Sequence, residues 1–463
     1  MKDRTQLLGE SPVGSLLMKF SVPAIIAMIA NALYNVVDSI FVGRGVGSLA
    51  LTAVTIAFPI MIIMMAFGML IGIGATALIS IRLGQNRKEE AEQILGNAFA
   101  MILVLGVALP AVTLAFLDPI LIYLGATPDV LGYARDFTII IMLGTIFQLI
   151  SFGLNNVIRA EGNPMISMGT MLFSAVMNTI LNPIFIFTFD MGIRGSALAT
   201  VLTQVLVSAY ILYHFTKGKG NLKLRRRNIR LERPIIAQVS AIGLSPFLLQ
   251  VAASFTSFLY NTELLLHGGE MAVAAMGVIS RTTMMILMPI FGINQGSQPI
   301  IGYNYGAKKY DRVKRALMLA SAAATVICLI GFALTQIFSS QIISIFNNDA
   351  QLISIGSRGL RIYLAMLAVL GVQIVITNYF QAVGKPKQAI LLSLVRQVMF
   401  QVPLILILPR FFGLTGIWVA GPISDFAAAV VAVVMLRREL SHLDDKHEER
   451  LEDSLAGSKE VQV

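Results

Sequence analysis

What most constrains this chain is the recurrence, from one end to the other, of continuous apolar runs separated by short polar connectors. An α-helix needs about 20 such residues to cross a hydrocarbon core about 30 Å thick. Twelve runs can be marked, near residues 15–41, 50–81, 93–116, 134–157, 165–188, 193–215, 236–266, 272–302, 316–339, 358–382, 388–409 and 414–436. Because they are continuous and not alternating, closed barrels are excluded and helices remain, with every backbone polar group paired inside its own segment. The second and eighth runs are long enough to tilt or protrude. Only 13% of the 463 residues are charged, about half the fraction usual in soluble proteins. The sequence therefore predicts an all-α polytopic membrane protein with twelve transmembrane helices.

The connectors predict its orientation. Alternate ones carry Arg82, Arg87 and Lys88, then Arg159, then the run KGKGNLKLRRRNIRLER at 217–233, then Lys308, Lys309, Arg312, Lys314 and Arg315, then Lys385 and Lys387. The opposite ones hold little beyond Arg44, Arg194 and Arg410, and 117–132 and 340–357 have no Lys or Arg. The positive-inside rule puts both termini and the basic connectors in the cytoplasm, and with them the expectation of a multi-pass protein of the bacterial cytoplasmic (inner) membrane. The same rule accounts for the net charge of +10, so no nucleic-acid partner is expected. Residues 1–10 are polar and the first apolar run outlasts a signal-peptide core, so no cleavable signal is expected. One Cys, Cys328, and four His offer neither a disulfide framework nor a metal-ligand cluster.

An internal duplication runs at an offset of about 222 residues. Arg159-Ala-Glu-Gly-Asn-Pro164 aligns with Gln381-Ala-Val-Gly-Lys-Pro386, Gly74 and Gly84 with Gly296 and Gly306, and Pro23 with Pro246. Gly192-Ile-Arg-Gly195 aligns with Gly413-Leu-Thr-Gly416 one residue off register. Six helices per half is an even number, so both halves insert the same way and form two parallel six-helix lobes about an axis along the membrane normal, around a central cavity. The divisions predicted are 1–216 for the first lobe, 217–234 for a basic linker, 235–437 for the second lobe and 438–463 for a polar tail, either a frayed surface helix or disordered.

Asp38 is an acid inside an apolar helix, at an insertion cost of about +2.5 to +3.5 kcal/mol, so a role is presumed for it. Asn31, Asn35 and Asp38, with Tyr34 beside them, fall on one face of the first helix. The fifth helix carries Ser174, Asn178 and Asn182, and the sixth Ser196, Thr200 and Gln204. The seventh has Gln250, Ser254, Ser257 and Asn261, and the tenth Gln373, Thr377 and Gln381. A single stripe reads as helix-packing glue; stripes in both halves together with an acid favour a hydrated cavity, with Asn31, Tyr34, Asn35, Gln250, Ser254 and Gln373 as candidate linings. Asp38 could instead be structural, with Arg44 as the nearest cation. In the second half Arg281, Arg396 and Asp425 all lie inside apolar runs and read as a buried charge network, the competing reading being a second cation site at Asp425. Methionine is abundant, and Met61, Met64 and Met65 with Met284, Met285 and Met288 give both lobes adaptable surface, of which Met284 and Met288 are candidate linings.

These residues resemble the multidrug and toxic compound extrusion (MATE) family over Leu16 to Glu439, and its MepA-like bacterial branch in particular. The carrying stretches are SVPAIIAMIANALYNVVDSIFVGR, the paired motifs at 159–164 and 381–386, NTILNPIFIF at 178–187, and PIFGINQGSQPIIGYNYGAKKYDRV at 289–313. The resemblance implies antiport: cationic or amphiphilic organic compounds leave the cell while Na⁺ or H⁺ enters, with no cofactor besides the coupling ion. It also implies a cation site at Asp38, Asn178, Asn182 and Thr200. Many relatives have Asp where this chain has Asn182, which leaves one formal negative charge and leans the expectation towards H⁺. Taking a carboxylate out of water favours its protonated form, so Asp38 can exchange a proton, and Pro23 is a candidate hinge for the first helix.

A lipid-linked oligosaccharide flippase of related two-lobe plan is the alternative, for which Arg281 and Arg396 could line a cationic cavity. No nucleophile motif, paired carboxylates or G-x-x-x-x-G-K-[ST] loop supports an enzyme or direct use of ATP. The chain is expected to act as a monomer.

Overall fold

The computed structural model describes residues 6–218, 220–346 and 349–460, the side chains of Asn35, Ser39, Arg44 and 442–460 excepted. A short helix at Gln6–Glu10 precedes α1 (Val13–Gly45), α2 (Ser48–Gly84), α3 (Lys88–Ala115), α4 (Pro128–Ala160), α5 (Pro164–Pro183) and α6 (Gly192–Thr216). The unbroken-looking Arg233–Gly306 turns at Gly269, where φ is 66° and ψ −169°, and is treated as α7 (233–268) and α8 (270–306). Then follow α9 (Tyr310–Ile337), α10 (Ala350–Tyr363 and Leu367–Ala382), α11 (Pro386–Leu394, continuing to Ile407) and α12 (Pro409–Glu460).

Among the described residues ten helices are long and apolar enough to cross a membrane, eleven with α10 taken as one span bent by 51°. The 74 residues of Arg233–Gly306 would make a rod of about 110 Å, far more than one crossing uses. Divided at Gly269, the same material accommodates twelve. Large apolar side chains such as Met18, Val107, Phe258 and Phe411 stand exposed along these helices, as lipid contact requires and water would not permit on this scale. The polar tail expected from 438 has no helix boundary at its start, since α12 continues through it.

Glycines set how the lobes meet. A Cβ at Gly84 would lie 2.0 Å from the Tyr303 carbonyl oxygen, and one at Gly306 would lie 2.1 Å from that of Ile81. These contacts are equivalents under the duplication (306 − 84 = 303 − 81 = 222), the reciprocal pattern of a two-fold interface. Gly74 sits as tightly on the Val239 carbonyl, and Gly296 on the backbone of Ser21. Small residues here let helix backbones approach to a distance that any side chain would prevent. Between the lobes, the aromatic pair Phe67–Phe247 at 5.0 Å, the approach of Gly292 to Ile25 and the contact of Gln295 Nε2 with Met28 Sδ at 3.9 Å add to these. Asp38 lies 13 residues beyond Ile25 on α1, about 20 Å along the axis. The lobes are thus closed against each other at the basic end.

The basic linker is docked on the first lobe. Buried Glu161 accepts the backbone N–H groups of Asn221 (2.9 Å) and Leu222 (3.1 Å), Glu92 accepts that of Lys223 (3.2 Å), and Asn97 that of Glu232 (2.7 Å). Arg225 adds an ion pair to Glu92 at 3.0 Å.

Candidate functional site

Asp38 is half-buried on the far half of α1 and faces α5 and α6. Its Oδ1 accepts hydrogen bonds from Asn182 Nδ2 and from Ser196 Oγ, the latter at 3.2 Å. Asn182 also donates to Asn178 Oδ1 at 3.2 Å, and Asn178 donates to Thr200 Oγ1 at 3.1 Å. The Tyr34 hydroxyl lies beside Thr200 at the far end of this chain. The i, i+4 spacing on α5 and on α6 is what puts two donors from each helix on the face that meets α1. Beyond Asn182, Pro183 has no N–H to continue the ladder, and Ile184–Thr188 widens into a π-helical turn, a distortion often found beside functional sites.

The structure thus brings together Asp38, Asn178, Asn182, Thr200 and Tyr34. Two features stand out chemically. Among the described residues Asp38 has no ion-pair partner, the side chain of Arg44 lying outside them. The buried Asn182 Oδ1 has no hydrogen-bond donor, although buried polar atoms are nearly always paired. One carboxylate and one unfilled acceptor, with hydroxyls nearby, suit a small cation or a proton. Ser196 was not singled out as a ligand from the sequence, yet it lies four residues before Thr200 in the stripe already marked.

The remaining candidates are dispersed. Asn31 is exposed, and the Asn35 side chain lies outside the described residues. Pro23 is buried within a helix that runs through it without a break. In the second lobe Gln250 and Met288 are half-buried, while Ser254 and Met284 are exposed. Gln373 is buried inside that lobe, its amide directed at the Leu392 carbonyl at 3.4 Å, so it lines no open face. The expected charge triad is a pair: Arg396 Nε donates to Asp425 Oδ1 at 2.6 Å in the lobe interior, whereas Arg281 is exposed and makes no ion pair among the described residues. Arg281 is exposed on α8, which the apolar run around it does not reveal in sequence.

Beside the Arg396–Asp425 pair, Tyr260 stacks edge-on to Tyr363 at 5.9 Å and accepts from Gln401 Nε2 at 3.1 Å. At the closed end, buried Arg159 donates to Gln295 Oε1 of the other lobe at 2.5 Å and to Asn156. His214 meets the carboxylate of Glu161, which also accepts from Asn163 at 2.8 Å.

The MatE family model matches the chain twice, over residues 23–184 and 246–407. The chain belongs to the MatE family. The two matches are 223 residues apart (246 − 23) and equal in length, as the duplication requires. Among similar proteins, the multidrug export protein MepA of Staphylococcus aureus is 28% identical over 443 residues, 94% of this chain and 96% of its own. MepA of Staphylococcus haemolyticus is 28% identical over 436 residues, 93% of this chain and 96% of its own. A ligand complex of the MATE multidrug transporter DinF-BH is 41% identical with a TM-score of 0.88, covering 95% of this chain and 98% of that one. An outward-facing MATE family transporter is 27% identical with a TM-score of 0.89, covering 96% and 99%. This family member is an integral membrane protein of two helical lobes.

Proposed function

We propose that this MatE protein is a secondary active multidrug exporter, not an enzyme. It carries cationic or amphiphilic organic compounds outward in exchange for H⁺, with Na⁺ as the other possible coupling ion. The observation that carries the coupling reading is the first-lobe cluster, where Asp38 has no ion-pair partner among the described residues and accepts from Asn182, whose own acceptor is unfilled. The multidrug export of the MepA relatives supports the substrate class. In this reading both termini and the basic connectors are cytoplasmic, the first lobe comprises residues 1–216 and the second 235–437, and a single chain suffices.

Ionised, Asp38 attracts an organic cation or the coupling ion; protonated, it loses that attraction and the bound compound departs. The change in charge alters how α1 packs on α5 and α6, with Pro23 as the point where α1 lacks a ladder hydrogen bond. Coupling follows if proton and drug favour opposite-facing states, because a ligand indifferent to the two shifts neither. The flippase reading is the weaker one, because Arg396 is taken up by Asp425 and is not free for a phosphate. Reconstituted in liposomes with ΔpH and ΔNa⁺ imposed separately, the protein is expected to export a fluorescent organic cation in response to ΔpH. Gradient-driven export at the parental rate by Asp38→Asn would overturn the assignment.

A further inference from the structure

The helix Gln6–Glu10 belongs by sequence to the first lobe, since Pro12 leads directly into α1, but its carbonyls are held by the second. Leu8 O accepts from Asn304 Nδ2 at 2.9 Å and from Arg312 Nη2 at 3.2 Å. Ser11 O accepts from the same Arg312 nitrogen at 2.6 Å, and Gly9 O from Lys309 Nζ at 2.9 Å. Asn304 Oδ1 in turn accepts from Arg312 Nε at 2.9 Å, which fixes the guanidinium in place. The last carbonyls of a helix carry partial negative charge and lack partners of their own, so two cations and an amide are a well-matched receptor for them. Leu8 is fully buried against this surface, and a Cβ on Gly9 would come within 2.8 Å of the Tyr303 ring.

The equivalent corner of the first lobe is built differently. Asn86 and Lys308 are equivalent under the duplication and both have positive φ, 60° and 55°, so the two turns share a backbone path. At the first-lobe turn, however, Arg82 and Arg87 pair with Glu90 at 3.1 and 3.4 Å. Arg312 stands where Glu90 would be (312 − 90 = 222). The duplicated corner has therefore exchanged an acid for a base that reaches across to the N-terminal segment.

We propose that residues 6–11 form a latch across the closed end, with Arg312 as its keeper, and that their release from Asn304, Lys309 and Arg312 accompanies opening of the lobes at that end. The four hydrogen bonds from the second lobe lie beside the Gly84–Gly306 contact. Parting the lobes there must break these bonds or drag the start of α1. The inference depends on the transport reading only for the use the opening serves, so its test reads opening itself. In the full chain with Cys328→Ala, a Ser80→Cys reporter sits at the seam, where Ser80 packs on Gly302. Its modification by a membrane-impermeant maleimide, applied to the basic end in oriented vesicles, is timed. Arg312→Ala, and separately deletion of residues 2–11, are expected to speed labelling about tenfold or more, the change produced by about 1.4 kcal/mol. Arg312→Lys is expected to fall between parent and Ala. Unchanged labelling in a monodisperse, helical Arg312→Ala protein would overturn the latch; should that variant not fold, unchanged labelling of the deletion does so. Faster labelling in a protein that exports nothing would leave the latch standing and remove the transport reading.

Discussion

Asp38 of the first lobe and Tyr260 of the second stand on corresponding helices, α1 and α7, Tyr260 being the residue before Asn261, which the Pro23–Pro246 pairing sets opposite Asp38 (38 + 223 = 261), and the two have been put to opposite ends. Asp38 is half-buried, held by amide and hydroxyl donors, with an unfilled acceptor next to it. Tyr260 is 3% exposed, its hydroxyl engaged by Gln401, and the acid of its lobe, Asp425, is neutralised by Arg396. Duplication supplied one helical frame twice. One copy keeps a carboxylate whose charge can change; the other has the neutral Asn261 at the matching position, buries the phenol beside it and locks its charges to each other. In the proposed antiporter the first lobe responds to the ion and the second is the body against which it moves.

The largest effect is expected where that comparison is sharpest. Asp38→Asn should lower ΔpH-driven export to the rate of protein-free liposomes, and adding Tyr260→Asp should not restore it, because an acid there has Arg396 and Asp425 for neighbours and no unfilled acceptor. Restoration of export by the double variant would show that the lobes are interchangeable. Next in size is the lock itself. Arg396→Ala leaves Asp425 as an unpaired buried charge and should destabilise the protein by about 3–5 kcal/mol, whereas replacing both with Met and Leu should be neutral or stabilising. Thermal unfolding in detergent would separate the two outcomes, and equal losses from the single and double changes would mean that the pair is not what holds this region.

A subtler change tests what the first lobe binds. Asn182→Asp would supply a second carboxylate beside Asp38, worth up to about 4 kcal/mol to a cation some 4 Å away at an effective dielectric of 20. Export by this variant should gain a dependence on Na⁺, with apparent affinity at least about tenfold above the parent's. An unaltered response to ΔNa⁺ would indicate that the residue at 182 does not face the ion.

Most of the frame was legible because lipid leaves so few options: apolar length gave the helices, and the shift of about 222 residues the two lobes. The first-lobe cluster was legible for a related reason, since Asn178, Asn182 and Thr200 are polar at four-residue spacing where lipid would exclude them. What was not legible depends on which face of a helix turns inward. Arg281 and Arg396 look alike in sequence, yet one is exposed and the other meets Asp425. The helix at Gln6–Glu10 escaped because a five-residue polar segment carries no periodicity to read, and its structure comes from carbonyl partners some 300 residues away, Asn304, Lys309 and Arg312. Asn261, the neutral counterpart of Asp38 and the neighbour of Tyr260, could have been found by carrying Asp38 across the duplication, since the Pro23–Pro246 pairing aligns the two without any knowledge of the fold.

The smallest effect is expected at Tyr260, and it is informative for being small. Tyr260→Phe keeps the ring, its edge-on contact with Tyr363 and nearly all of the buried volume, and removes one hydroxyl. The loss strands Gln401 Nε2, which donates to that oxygen at 3.1 Å, in a position with little access to water. A buried donor left without a partner costs about 1–3 kcal/mol, so a lower unfolding temperature is expected, by less than Arg396→Ala causes. Export should continue with the parental dependence on ΔpH, because no titrating group has been touched. If Tyr260→Phe instead abolished coupling while leaving stability intact, the second lobe would be carrying protons through its phenols, and the division of labour between the two halves would have to be redrawn.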